Sequence, residues 1–410
     1  MTETQTKFRD GPLTGLRVLD LSRILAGPTA AQLLGDLGAD VIKIERPGAG
    51  DDTRRWGPPF VKDADGNDTA ESAYYLCANR NKRSVTVDMA TEAGQALLQD
   101  IAAQSDILIE NFKVGDLKRR GLDYETLSRR HPGLIYCSIT GFGQTGPYAS
   151  RAGYDFLIQG MGGIMSITGE PDGPPTKVGV GITDVMTGMY AVVSILSALR
   201  VRDATGAGQH IDLALLDTQI SWLINQGLDY LTAGLTPVRR GNAHPTVVPY
   251  ETFPASDGWF IIAIGNDGQF RRFMEEAGRA DLAADPRFAT NPARVANHDE
   301  LIRLMHEITR TRTEAEWMEA LSAVGVPTGP VNDIPAAIND PQALSRGSRV
   351  KQPHAKAGKG YVETLGNPVK LSATPVTYRR PPPMVGEHTE EVLAELGFDA
   401  AEIRGKGALG

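Results

Sequence analysis

The sequence predicts an α/β protein in which a doubly wound parallel sheet forms a large domain and a smaller α+β domain interrupts it. Three observations carry the expectation. Apolar, β-prone runs alternate with amphipathic stretches through the N-terminal half, the pattern that places crossover helices on both faces of a parallel sheet. The first such stretch, Leu16–Glu45, has the length of one βαβ unit, about 30 residues. After Asp257-Gly258 the texture changes to one strand and several polar helices, and 410 residues exceed one ordinary core.

Taken in order, Leu16–Ser22 reads as the first strand. Ala26-Gly27-Pro28 then opens a helix over Thr29–Leu37, because proline suits the first helical turn. Gly38 ends that helix, and Val41–Glu45 is the second strand. The unit lacks GxGxxG, which argues against a nicotinamide-dinucleotide loop. Arg46 falls just past the second strand, where doubly wound sheets bind ligands. Asp51–Arg83 is polar and loop-rich, and long loops in compact domains are often functional. Its cluster Arg80, Lys82 and Arg83 fits either a phosphate site or a solvated basic turn. Val85–Asp88 is a strand, Glu92–Gln104 an amphipathic helix and Ile107–Glu110 a strand leading into Asn111-Phe112-Lys113. Lys118, Arg119 and Arg120 follow on a short helix, and Leu134–Ile139 is one more strand. Basic groups therefore recur after the strands of a chain whose net charge is −8. A large anionic ligand explains this economically.

The chemistry is placed in Thr176–Arg202. A glycine-rich extended piece, Val178–Ile182, runs into Thr183-Asp184 and then into an apolar helix. Asp184 thus stands where strand becomes helix, and there a carboxylate caps free N–H groups and feels the positive end of the dipole. An ordinary N-cap is the plain reading. Gly179, Gly181 and Gly188, which leave room for a ligand, favour a reactive group instead. So does the nearly all-apolar Met189–Leu199, expected to be buried and rigid behind it. Ile211–Leu215 is a further strand and Thr218–Leu231 a helix, after which Pro237–Pro245 reads as a linker or lid. The strand Trp259–Gly265 and the helices Gln269–Ala277, Asp299–Arg310 and Thr313–Val324 make the small domain. A strand at Gly360–Leu365 and a helix at Thr389–Leu396 close the chain.

Composition narrows the function. With 41% hydrophobic and 22% charged residues the chain is a soluble globular protein. The acidic balance, without a Lys/Arg run, excludes a general nucleic-acid binder. Cys77 and Cys137 are too few for a disulfide framework and fit a reducing compartment. Met1–Pro12 is polar with no signal core, and no uninterrupted apolar run approaches the roughly 18 residues that span a bilayer. A cytoplasmic protein with no membrane partner is expected. The seven histidines fall in no HExxH or similar spacing and there is no CxxC, so no metal is expected.

The stretches Leu16–Ser22, Leu25–Pro28, Gly35–Arg46, Asn81–Ser84, Glu110–Phe112 and Ser138–Gly143 belong together. So do Gly153–Asp155, Thr168–Pro175, Asp184–Gly188, Gly325–Val331 and Gly386–Thr389. In this order and spacing the chain resembles the class III CoA-transferases, the CaiB/BaiF family that includes formyl-CoA transferase, over nearly its whole length. The resemblance implies a Rossmann-like large domain built from both ends of the chain, with a small domain inserted, and an interlocked homodimer. The implied boundaries are residues 1–225 for the N-terminal part of the large domain, 226–245 for a linker and 246–335 for the small domain. Residues 336–410 would return to the large domain.

By the same resemblance Asp184 matches the family's nucleophilic aspartate, and coenzyme A enters as the acyl carrier. CoA contacts carry over to Leu25, Ala26 and Arg46, then to Val87, Asp88, Met89 and Ala90. Further on they carry over to Asn111, Phe112, Lys113 and Arg119, and to Ala152, Tyr154 and Asp155. Gly241-Asn242-Ala243-His244 stands where formyl-CoA transferase has a glycine run guarding the site. Asp51–Phe60 and Gly241–Tyr250 look most like the succinate–glutaryl-CoA transferase branch, which implies dicarboxylic acids. A second carboxylate wants a cation, and Arg239, Arg240 or His244 would supply it. The expected reaction moves CoA from an acyl-CoA to an acid through an aspartyl-CoA thioester. The α-methylacyl-CoA racemases of the same family use a histidine where this chain has Tyr154, whose ordinary pKa of about 10 suits it poorly to proton abstraction. A non-catalytic acyl-CoA binder would need no Asp184.

Overall fold

The computed structural model describes residues 10–409, so most of the polar stretch Met1–Pro12 lies outside the described residues. Six strands form one sheet: β1 (Arg17–Asp20), β2 (Asp40–Glu45), β3 (Lys82–Thr86), β4 (Ile107–Glu110), β5 (Ile135–Thr140) and β6 (His210–Ala214). They run in the order β3-β2-β1-β4-β5-β6 with every neighbouring pair parallel. The order reverses between β1 and β4, so a ligand crevice lies outside the carboxyl ends of those two strands.

The central strand β4 is an almost unbroken apolar run because both faces of the sheet are covered there. All four residues of β4 are buried. Leu19 and Leu108 face one core with Leu97, Leu98 and Ile101 and with Val392 and Leu393 from near the other end of the chain. Val18, Ile107 and Ile109 face the opposite core with α1 (Ala26–Asp36) and with Ala191, Ile195 and Ala198.

Buried ion pairs run through this part of the chain. The cluster Arg80, Lys82 and Arg83 is neither a phosphate site nor a solvated turn: all three side chains are buried. Arg80 pairs with Asp36, Lys82 with Asp20, and Arg83 with Asp40, Glu391 and Glu395. Lys82 Nζ also donates to Pro28 O at 3.0 Å and Asn79 Oδ1 at 2.9 Å, so each of its three protons has an acceptor. Buried charge persists only when paired and hydrogen-bonded in this way.

Three local expectations are corrected. Val178–Gly181 pairs with no strand, and the helix begins directly at Ile182. The stretch Thr218–Leu231 is two helices, Leu215–Ser221 and Ile224–Ala233, broken where Ile224 takes φ +37°. The helix Ile182–Thr205 is buried on one side only: Ala191 and Ile195 are inside, whereas Met189, Tyr190 and Val193 are exposed. It is also long and apolar enough, by length and composition alone, to cross a membrane, with half of that stretch buried in the protein.

Two compact units can be separated. One comprises the residues up to Gly163, Val178–Leu228 and those from Pro341 on. The other comprises Ile164–Lys177 and Asp229–Asp340. In the latter, β7 (Tyr250–Pro254), β8 (Trp259–Ala263) and β9 (Thr328–Pro330) form an antiparallel sheet with β8 in the middle. Phe253, Phe260, Phe270, Phe273 and Trp317 fill its core. Trp317 Nε1 donates to Thr309 O at 2.7 Å, so its one polar atom is satisfied.

Candidate active site

The site begins with a strained turn. Between β1 and α1 the chain passes through Ile24 at φ +73°, a left-handed conformation that a β-branched residue adopts only under constraint. The constraints are visible. Ser22 N donates to Asp20 Oδ1 at 3.0 Å, Lys43 Nζ to Ser22 O at 3.0 Å and Ile24 N to Asp51 Oδ1 at 3.3 Å. Asn111, just past β4, takes Arg23 N at 2.9 Å and donates to Arg23 O at 2.7 Å. The two strands that flank the switch point are thereby tied to each other through one asparagine.

Two cavities open on this turn. The first, about 380 Å³, holds the predicted positions Arg46, Val87, Asp88, Met89, Ala90 and Phe112, together with Lys43 and Arg120. The second, about 290 Å³, holds Leu25, Ala26, Asn111, Phe112 and Lys113, then Ala152, Tyr154 and Asp184. Arg151 lines it as well, stacked over Phe142 and Tyr148. Arg23, Phe112 and Asp116 line both cavities. Arg119 lines neither. It is 72% exposed and pairs with Asp116. Its neighbour Arg120 reaches the first cavity, because successive residues of the short 3₁₀ turn Lys118–Arg120 point about 120° apart. Sequence reasoning missed Arg23 as a site residue, although it sits between two of the stretches that carry the resemblance, Leu16–Ser22 and Leu25–Pro28.

Asp184 lies in the first turn of the helix Ile182–Thr205 and does not cap it. Gly181, at the N-cap, has no side chain to offer. The cap comes from another helix: Asp155 Oδ1 accepts Thr183 N at 2.8 Å and Asp184 N at 3.3 Å. Asp155 therefore stands behind Asp184 and does not line either cavity. Gln159 secures it, donating to Asp155 Oδ2 at 2.7 Å and accepting Val178 N at 2.9 Å. Burial, and after it the charge of Asp155, push the Asp184 carboxyl up to about 7. Burial and then the Asp184 charge push the Tyr74 phenol up to about 12, so a neutral hydroxyl stands near the carboxylate. A second buried carboxyl, Glu110, is raised to about 7 by burial and accepts Phe112 N at 2.7 Å.

The glycines divide their work. A Cβ at Gly181 would come within 3.0 Å of Leu25 Cδ2 beside the second cavity, whereas one at Gly179 would meet nothing. Gly188 serves packing, since a Cβ there would lie 2.7 Å from Ala26 O and 3.1 Å from Thr29 Cβ on α1.

The loop Arg239–His244 belongs to the other compact unit. Arg239 donates to the carbonyls of Glu170, Pro171 and Gly173 at 3.1, 3.3 and 2.8 Å, and Gly241 N donates to Gly169 O at 3.0 Å. Asn242 Nδ2 reaches Thr252 Oγ1 at 3.0 Å, and His244 Nδ1 accepts the N–H groups of Thr246 and Val247. Arg239 thus holds a turn together, and Arg240 beside it is exposed. Among the described residues no group of three or more His, Cys, Asp or Glu side chains is gathered as a metal ion would need.

Residues 13–389 match CoA-transferase family III. The succinate–glutarate CoA-transferase of Agrobacterium fabrum is 50% identical over 96% of this chain and 98% of its own length. The human succinyl-CoA:glutarate CoA-transferase is 40% identical over 94% of this chain and 86% of its own. Among solved structures, a CaiB/BaiF family protein from Brucella suis superposes with a TM-score of 0.84 at 50% identity, covering 94% of this chain and 100% of that one.

Proposed function

Since this chain belongs to CoA-transferase family III and is a CoA-transferase, we propose that it carries CoA between dicarboxylic acids through a covalent intermediate on Asp184. The observation that carries the reading is the placement of Asp184. It lines a cavity that shares one wall with the first cavity, where Arg23, Lys43, Arg46 and Arg120 stand among the carboxylates Glu45, Asp51, Asp88 and Asp116 at the switch point of the sheet. An acyl-CoA with its nucleotide in the first cavity would present its thioester in the second.

Asp184 attacks the thioester carbonyl through a carboxylate oxygen. The new C–O bond forms, the C–S bond breaks, and the electron pair leaves with the CoA thiolate. The thiolate then attacks the aspartyl carbonyl of the mixed anhydride, which yields an aspartyl-CoA thioester and frees the donor acid. The acceptor acid reverses both steps. A carboxylate is ordinarily a weak nucleophile. The environment that raises the Asp184 pKa also makes its ionised form more basic, and a thioester is already activated.

The named activities of the relatives from Agrobacterium fabrum and human support succinate and glutarate as the class of acid. Lys113 and Arg151, cations on the walls of the Asp184 cavity, suit a remote carboxylate. The reading includes a cytoplasmic homodimer. The exposed apolar face of the helix Ile182–Thr205, with Met189, Tyr190, Val193 and Leu196, supports the homodimer alone, because an apolar patch of that kind needs cover. The experiment is trapping. Wild-type protein incubated with succinyl-CoA and then hydroxylamine should carry a hydroxamate on the peptide containing Asp184, seen by mass spectrometry. Modification elsewhere, or none, rejects the mechanism.

A further inference from the structure

We infer that Arg23 binds the diphosphate of the acyl-CoA where it crosses from one cavity to the other, a role that rests on the reading above. Of the three residues common to the two cavities, Arg23 is the only cation. A molecule whose head lies in the first cavity and whose reacting carbonyl lies at Asp184 has to pass that shared wall. In an acyl-CoA, the segment between the adenosine and the long pantetheine arm is a diphosphate.

The bonding of Arg23 differs from that of the internal arginines. Arg54 donates through Nε and both terminal nitrogens to Glu45, Glu71 and Pro383 O, and Arg80 does likewise to Asp36 and Leu365 O. Arg23 has one such tie, from Nη1 to Asp52 Oδ2 at 2.8 Å. Its Nε is buried without any acceptor, while 38% of the side chain stays exposed. An unmet N–H of a cation is costly inside a protein. A small rotation that delivers Nε to a ligand oxygen therefore gains a hydrogen bond and breaks none at that nitrogen. The planar fork suits phosphate oxygens, and Phe112, 5.5 Å away, backs the guanidinium.

The strained backbone points the same way. Ile24 is held at φ +73° by hydrogen bonds at its own N–H and at the N–H and carbonyl of Arg23, and that conformation fixes where Arg23 emerges. Strain of this kind persists where the surroundings over-determine it, most often at ligand sites. The distal carboxylate of the acid is the competing partner. Lys113 and Arg151 line only the Asp184 cavity, which makes them the better cations for that group.

The test separates the parts of the ligand. Turnover is measured for wild type, Arg23→Ala and Arg23→Lys with succinyl-CoA and with the succinyl thioester of pantetheine, which lacks diphosphate and nucleotide. Free CoA binding is measured by calorimetry, and circular dichroism reports folding. Arg23→Ala should raise the KM for succinyl-CoA and the Kd for CoA about 10–100-fold, with kcat changed less than about threefold. Arg23→Lys, which keeps the charge and loses the fork, should fall between. On the pantetheine thioester the three proteins should be alike. An equal loss on both thioesters, or a loss confined to the acceptor acid, overturns the assignment. If Arg23→Ala does not fold, Arg23→Lys and Arg23→Gln decide by the same ratio. A wild type that transfers CoA between no acids would instead refute the function on which the inference rests.

Discussion

The carboxylate of Asp155 accepts the backbone N–H of Asp184 at 3.3 Å, so the residue that caps the helix also sets a negative charge behind the proposed nucleophile. The two effects act in one direction. Asp155 occupies donors at the positive end of the helix that would otherwise favour the ionised form of Asp184, and its charge opposes that form.

Activity should follow the ionisation of Asp184. The rate rises with pH through about 7 and levels above it, since only the carboxylate attacks. Asp184→Asn abolishes transfer while CoA binding, by calorimetry, stays within about threefold. A flat profile between pH 5.5 and 8.5 with chemistry rate-limiting would contradict this.

The same environment has a cost in stability. The folded-state pKa, about 7, lies above the ordinary 3.8, so between those values the native chain holds a proton that the unfolded chain has released. Stability therefore falls as pH rises from about 4 through 7, by at most about 1.4 kcal/mol for each pH unit crossed. Asp184→Asn removes the effect. Its melting temperature should exceed that of wild type at pH 8 by an amount worth ~1–3 kcal/mol and match it only below the ordinary carboxyl pKa, near pH 3.

Two variants of Asp155 separate its charge from its cap. Asp155→Asn keeps an acceptor for Thr183 N and Asp184 N and removes the like charge, so the inflection in the pH–rate profile should move to lower pH. Asp155→Ala loses the cap as well and should cost about 1 kcal/mol of stability in addition. Equal profiles for the Asn variant and wild type would show that Asp155 acts only through geometry.

Gly188→Ala tests the helix contact. Its Cβ would stand 2.7 Å from Ala26 O, and backbone cannot give way as a side chain can. Overpacking of this kind costs about 1–3 kcal/mol, read as a lower denaturation midpoint. Gly179→Ala, which meets nothing, should leave the midpoint in place.

For the acid, Arg151→Ala should raise the KM for succinate about tenfold and hardly change that for butyrate, because a charged hydrogen bond is worth about 1.5–3 kcal/mol. Arg239→Ala should lower thermal stability without altering the succinate-to-butyrate ratio, since its guanidinium holds the carbonyls of Glu170, Pro171 and Gly173. The reverse pattern would move the dicarboxylate claim to the other loop.

What is legible in the sequence follows a physical division. Ile107–Glu110 can be read with its boundaries intact because a strand buried on both faces is an unbroken aliphatic run. Asp184 stands out because a junction with a helix is marked locally. Tyr250–Pro254 and Arg349–Pro353 escape such a reading, since short, partly exposed strands lack an aliphatic run. The fate of Arg80, Lys82 and Arg83 is not readable from their own neighbourhood, because Asp36, Asp20 and Asp40 lie some forty or more positions away. Gly188 shows the same limit: a glycine there says that space is needed, and only the crossing helix says for what.

The core behind β1 and β4 has a consequence for biosynthesis. Leu19 and Leu108 are sealed by Val392, Leu393, Leu396, Ala408 and Leu409. Leu97, Leu98 and Ile101 cover part of that apolar side early, and the rest stays open to solvent until the late segment is made. The large unit can begin this core early but cannot complete it from its N-terminal part alone. It waits for a late segment, and in the interval it is the kind of nascent chain that chaperones hold.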